Sequence, residues 1–263
     1  MAWNREVVKS RERNYNFDMM VRSLHEWQIS SSWAKALQLD LAASISRNNE
    51  VGDPQFIAGV DISAADSRGI ARGAVVVLRY PGMELVETRV VEGRPGFPYF
   101  PGLLSFRESS LILAACRELE ITPDLFIVDG QGIAHPRRLG IASHLGLLLD
   151  APTIGCAKSI LRGKHEPLDR EAGSRAPLMD GGEIIGAALR TRDDVSPVFV
   201  SIGHRVDLEA AVFWVKACGR GYRLPEPARL AHLAAGGKLQ TGGDPSPIRA
   251  HPGKILKEAE CRN

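Results

Sequence analysis

Three acidic residues occupy positions where acids are costly. Asp61 lies within Ile57-Ala58-Gly59-Val60-Asp61-Ile62-Ser63, among small or apolar neighbours, so its carboxylate is expected to be at least partly buried. Asp129 closes the apolar run Leu125-Phe126-Ile127-Val128 and is followed by Gly130-Gln131-Gly132. Glu108 interrupts a helical stripe of Leu104, Leu111, Ile112 and Ala115, at spacings of three, four and seven. A buried charge must be paired or bound to metal. Each acid also has a plainer account: Asp61 as a turn or cap residue, Asp129 as a turn residue before glycine, Glu108 as a solvent-facing residue at the stripe's edge. If the three converge, they suit a hard divalent cation, and oxygen ligands favour magnesium or manganese over zinc. Such an ion can generate hydroxide from water and stabilise both attacking and departing oxygens on phosphorus, so phosphodiester hydrolysis is the natural chemistry.

These acids need a scaffold that brings distant segments together. Val21, Leu24, Trp27, Ala34, Leu37, Leu41 and Ile45 recur at helical intervals and predict one long helix from 21 to about 46, ended by Asn48 and Asn49. Three strand-like runs follow, Phe56 to Ser63, Ile70 to Tyr80 and Glu84 to Val91, with Pro81-Gly82 as the turn between the last two. A Gly/Pro-rich loop from Gly93 to Gly102 leads into a helix over 103–119. The continuous apolar run 124–129 reads as a central strand covered on both faces. A helix over 138–149 separates it from a short strand, Thr153 to Cys156, which implies parallel pairing. Residues 162–182 are polar and aperiodic and read as a surface loop. A strand pair, 183–191 and 197–202, and two helices, 207–218 and 227–234, complete the pattern. The order is α/β: a mixed sheet, a three-strand antiparallel meander plus parallel strands, with helices on both faces. Ligands in such sheets gather at the carboxyl ends of the central strands.

Composition sets the outer limits. The chain has 263 residues, 44% hydrophobic and 24% charged, enough for one globular unit. A net charge of +2 is too mild to announce a polyanionic partner. Cys116, Cys156, Cys218 and Cys261 are scattered without metal-ligand spacing and read as reduced thiols in a cytoplasmic protein. The first 20 residues lack the apolar core of a secretory signal, and no run reaches membrane-spanning length. We expect residues 1–20 and 236–263 to be flexible tails flanking a catalytic domain over 21–235, and the protein to be a monomer with no membrane partner.

Several longer motifs carry a resemblance. Pro98-Tyr99-Phe100-Pro101-Gly102-Leu103-Leu104-Ser105-Phe106-Arg107-Glu108 resembles the Pro-Tyr-x-Pro wedge and following helix of endonuclease V. Val128 to Arg137, Gly155-Cys156-Ala157-Lys158-Ser159, Gly203-His204-Arg205 and Gly221 to His232 resemble that family in the same order, so the likeness spans roughly residues 24–235. It implies a ribonuclease-H-like fold and cleavage of DNA at the second phosphodiester bond 3′ to deoxyinosine, initiating repair of deaminated adenine. It also implies Mg2+ as cofactor, with Mn2+ able to substitute. Asp61 and Asp129 would be the main metal ligands, Glu108 a further acidic member, and His232 the contribution of the last helix. His135 and Lys158 would sit beside the scissile phosphate, one orienting water or shuttling a proton, the other countering charge. His204 is read as a structural residue.

The prolines flanking Tyr99 fix φ and stiffen the loop, so that Pro98, Tyr99, Phe100 and Pro101 would push into the base stack while the target nucleotide rotates out. Phe100 stands where the family usually has a branched aliphatic, making the wedge bulkier. Gly130, Gly132 and Gly155 would let main chain approach a flat base and read its edge through backbone amides. Two other readings remain: an endoribonuclease acting on inosine in RNA, and a module that binds inosine or branched nucleic acid without cutting. Matched ribose and deoxyribose substrates separate the first, and tight binding without product would mark the second.

Overall fold

The computed structural model describes residues 21–239 and 248–249. Among these residues nine strands form one sheet, in the order β6-β7-β8-β5-β4-β1-β2-β3-β9. The strands are β1 (Phe56–Ile62), β2 (Ala71–Arg79), β3 (Glu84–Gly93), β4 (Leu125–Val128), β5 (Thr153–Ala157), β6 (Arg175–Asp180), β7 (Glu183–Leu189), β8 (Val198–His204) and β9 (Ile248–Arg249). The meander β1-β2-β3 is antiparallel, and β4 and β5 join β1 in parallel. β8, β7 and β6 then add antiparallel on the far side. The mixed sheet expected from the element order is therefore the one observed.

Side-chain alternation gives each central strand two buried faces. Phe56, Ala58, Val60, Phe126 and Val128 face α2 (Leu104–Arg117) and α3 (Ile141–Leu149). Ile57, Leu125, Ile127, Ile154 and Cys156 face α4 (Leu208–Ala217) and α5 (Glu226–Ala235). Two glycines set how closely the helices seat. A Cβ at Gly59 would lie 1.8 Å from the Pro227 carbonyl oxygen of α5, and one at Gly73 would lie 2.8 Å from the Leu111 carbonyl carbon of α2. Any side chain there would lever a helix off the sheet.

Three expectations change. The helix predicted over 21–46 is only α1 (Ser31–Ala42), because Ser30 is extended and its hydroxyl caps the Trp33 N–H. Val21, Leu24 and Trp27 still pack on the core, but as an irregular segment anchored by an Arg22 N–H to Leu148 carbonyl bond of 2.7 Å. The stretch read as a loop over 162–182 ends in β6, whose Ala176 and Leu178 alternate inward. Pro177 disguises it, yet an edge strand tolerates proline. Ile248–Arg249 pairs in parallel with β3, within a region read as a flexible tail. The extension 1–20 and the remainder of that tail lie outside the described residues.

Cys116, Cys156 and Cys218 are free and buried. Among the described residues no helix is long and apolar enough to cross a membrane.

Candidate active site

Register brings the first two acids together. β1 and β4 pair in parallel with Val60 opposite Val128, and the Asp129 N–H donates to the Val60 carbonyl at 2.9 Å. Asp61 and Asp129 are the next residues on each strand, so they stand at one level, on the face that carries Ile57 and Ile127. That face is covered by α5, where Ala228, Ala231, Ala234 and Ala235 are buried and His232 lies at the edge. His232 Nδ1 donates to Asp61 Oδ2 at 2.7 Å and lies 3.9 Å from Asp129 Oδ2. Lys158, just beyond β5, places its Nζ 2.5 Å from Asp129 Oδ2. That separation makes an ion pair, but Asp129 Oδ2 receives no properly directed hydrogen bond. Lys158 Nζ is also 3.3 Å from His232 Nδ1, a proximity only, since that nitrogen's proton is committed to Asp61.

The electrostatics show crowded negative charge. Burial, then the neighbouring charge of Asp129, raises the Asp61 carboxyl above its ordinary value despite the opposing His232 hydrogen bond. Burial and then the charge of Asp61 push Glu108, on α2, up to about 8. Ligand atoms of Asp61, Asp129 and His232 lie within 4.8 Å of one another, and Glu108 stands outside that set. A buried carboxylate oxygen without a directed donor, beside acids held above their ordinary values, is a site that a divalent cation fits.

His135 lies at the base of the aromatic loop. Its Nε2 donates to the Gly102 carbonyl at 3.1 Å while its Nδ1 accepts the Arg137 N–H at 3.2 Å. Burial and then the charge of Arg137 bring it down to about 4, so the ring is neutral, and both nitrogens are occupied within the protein. His204 is also structural, its Nδ1 accepting the Ser46 N–H.

The expected wedge is an exposed tip on a fixed base. Tyr99 is 68% exposed and Phe100 39%, while Phe97 and Leu103 are buried. The Leu103 N–H donates to the Phe100 carbonyl, with Pro101 second and Gly102 third at φ +76°, the pattern of a type II turn.

The three glycines assigned to base reading have another reason in the structure. A Cβ at Gly132 would lie 1.9 Å from the Ile202 carbonyl, one at Gly155 would lie 2.4 Å from the Gly132 nitrogen, and one at Gly130 would meet Ile141 at 2.5 Å. They let the 130–132 loop sit on β5, β8 and α3.

Sequence reasoning missed Arg223, whose guanidinium donates to the Lys158 and Pro197 carbonyls at 2.6 and 2.7 Å and so fixes the backbone that carries the lysine. Its only signal was its place in the Gly-Tyr-Arg-Leu-Pro motif.

A mixed sheet with two carboxylates at the ends of adjacent central parallel strands, joined by a histidine from the last helix, defines a ribonuclease-H-like nuclease. The chain belongs to the endonuclease V family, whose model matches residues 39–233. Endonuclease V from Dehalococcoides mccartyi is 50% identical over 218 residues, which is 83% of this chain and 98% of that protein. The solved endonuclease V of Streptomyces avermitilis matches with a TM-score of 0.77 at 40% identity, covering 84% of this chain and 97% of that one. Endonuclease V of Ciona intestinalis, solved in complex with a 24mer DNA containing an inosine followed by a ribo-adenosine, matches with a TM-score of 0.66 at 28% identity over 80% of this chain and 97% of that one.

Proposed function

We propose that this nuclease recognises deoxyinosine in DNA and hydrolyses the second phosphodiester bond on its 3′ side, using magnesium held by Asp61 and Asp129, with manganese able to substitute. The observation that carries the reading is the meeting of Asp61, Asp129 and His232 from three separate elements within 4.8 Å. The inosine-bearing DNA in the Ciona intestinalis complex supports the choice of substrate.

When bound, the ion supplies a nucleophile from water and neutralises charge at phosphorus. The protein's own residues do the rest. His232 orients the Asp61 carboxylate through its 2.7 Å bond. Glu108 adds an acid on the α2 side, close enough to Asp61 to feel its charge. Lys158 brings a cation for the charge that grows on the phosphate. Tyr99 and Phe100 open the stack, at a cost lowered by the weak pairing of inosine. The catalytic unit comprises residues 21–235 and acts as a monomer in the cytoplasm.

The test is a nicking assay with magnesium on a duplex bearing one inosine and on its adenine control. Wild type should nick only the inosine strand, and a chelator, Asp61→Ala or Asp129→Ala should each abolish cutting. Undiminished cutting by either variant would refute the site. A second reading, action on inosine in RNA, is favoured by the ribo-adenosine that follows inosine in the Ciona intestinalis complex. Matched strands differing only in the 2′-hydroxyl separate the two.

A further inference from the structure

The Gly102 carbonyl, at the base of the Pro98–Pro101 loop, is held by three donors. Gln38 Nε2 lies 3.0 Å away, His135 Nε2 3.1 Å and an Arg137 guanidinium nitrogen 2.7 Å. A carbonyl oxygen has two lone pairs, so this is more donation than backbone pairing requires. Gln38 is fully buried, and its own polar atoms are all used inside the protein. Its second Nε2 hydrogen goes to the Leu139 carbonyl at 3.1 Å, and its Oε1 accepts from Arg137 Nε. A side chain at Gly102 would be strained at φ +76° and would crowd the Arg137 guanidinium, 2.8 Å from a Cβ there. At the other end of the loop, Arg107 donates to the Phe97 carbonyl at 2.9 Å, and the Phe97 ring packs against Phe106.

The donors come from two places: α1, and the loop after β4 that begins at Asp129. The exposed aromatic tip is thereby tied to the strand end that carries a proposed metal ligand. We propose that Gln38 and Arg137 are positioning residues, which hold the aromatic loop at a set distance from the Asp129 strand end so that Tyr99 and Phe100 enter a duplex as a rigid wedge. This rests on the reading of the protein as an inosine-directed endonuclease. A loop with a loose base would lose its push against stacked bases, while a strand that is already unpaired needs little pushing.

Cutting rates on inosine in a duplex and in a single strand, compared for wild type, Gln38→Met and Arg137→Lys, provide the test. Methionine keeps the length of glutamine without its hydrogen bonds, and lysine keeps the charge of arginine without its fork. Both variants should lose about tenfold or more on the duplex, the scale of a hydrogen bond to a charged group, and stay within roughly twofold on the single strand. Parallel loss on both substrates, or no loss on either, would overturn the clamp while leaving the nuclease reading intact. Failure of wild type to cut inosine in either form would overturn that reading and the clamp with it. If Gln38→Met does not fold by its melting curve, Arg137→Lys, which retains the charge at a half-buried position, decides the matter.

Discussion

Lys158 makes the sharpest statement about single residues here. Its ammonium sits 2.5 Å from Asp129 Oδ2, so it occupies electrostatically a place that a divalent cation also seeks. The two cations compete for one carboxylate, and only the lysine is free to turn toward a phosphate. Lys158→Met is therefore expected to cut inosine strands about a hundredfold more slowly, the scale of one lost stabilising donor. Manganese affinity by calorimetry should meanwhile be unchanged or tighter. Weakened metal binding would show instead that Lys158 organises the acidic cluster. Its type and its place after an apolar strand were legible in the sequence; its partner was not, because 29 positions of chain separate the two and only the pairing of β4 with β5 brings them side by side.

Between elements, the decisive contact is α5 on β1 at Gly59. Removing the 1.8 Å approach to the Pro227 carbonyl requires either a strained strand or a lifted helix, and the helix carries His232. Overpacking of this kind costs about 1–3 kcal/mol. Gly59→Ala should lower the unfolding free energy by that amount, read as a lower urea midpoint, and weaken cutting as His232 is drawn from Asp61. Gly52→Ala, where a Cβ would meet nothing within 4 Å, should change neither. Equal behaviour of the two variants would mean that helix placement does not depend on the glycine. Alternation and helical spacing identified these elements in the sequence, but a glycine inside a strand says only that something comes close, not which helix.

Across the whole molecule, buried neutral histidines set the response to acid. His135 is brought down to about 4 and His144 well below its ordinary 6.5, with burial the first cause in both. His144 lies fully buried beside His25, their Nε2 atoms 2.8 Å apart. Unfolded histidines take up protons near 6.5, while these folded ones do so only at lower pH. Their stabilisation is complete above about 6.5 and drains away as pH falls toward 4, up to roughly 3 kcal/mol for His135. The drop in urea midpoint from pH 7 to pH 5 should shrink in His144→Gln, whose amide can keep a bond to His25. An unchanged drop would place the acid sensitivity elsewhere.

What the sequence determined by itself is local. Apolar and β-branched runs marked β1 to β5, β7 and β8, and the order of strands and helices required a mixed sheet with parallel central pairs. The positions of Asp61, Glu108 and Asp129 against apolar patterns singled out the acids. Local signals also misled: the spacing over 21–46 identified side chains that pack at least partly inward, but Ser30 capped a much shorter helix. Only tertiary structure decided that Val60 stands opposite Val128, which levels the two aspartates, and that α5 lies on Gly59, which adds His232. It also placed His135 beside the Gly102 carbonyl, and revealed Gln38 as a buried polar hub rather than one more residue of an amphipathic helix. The physical reason is range. Alternation and capping act between neighbours along the chain, whereas a shared site depends on which distant surfaces pack, and many surfaces of similar apolarity share the same period.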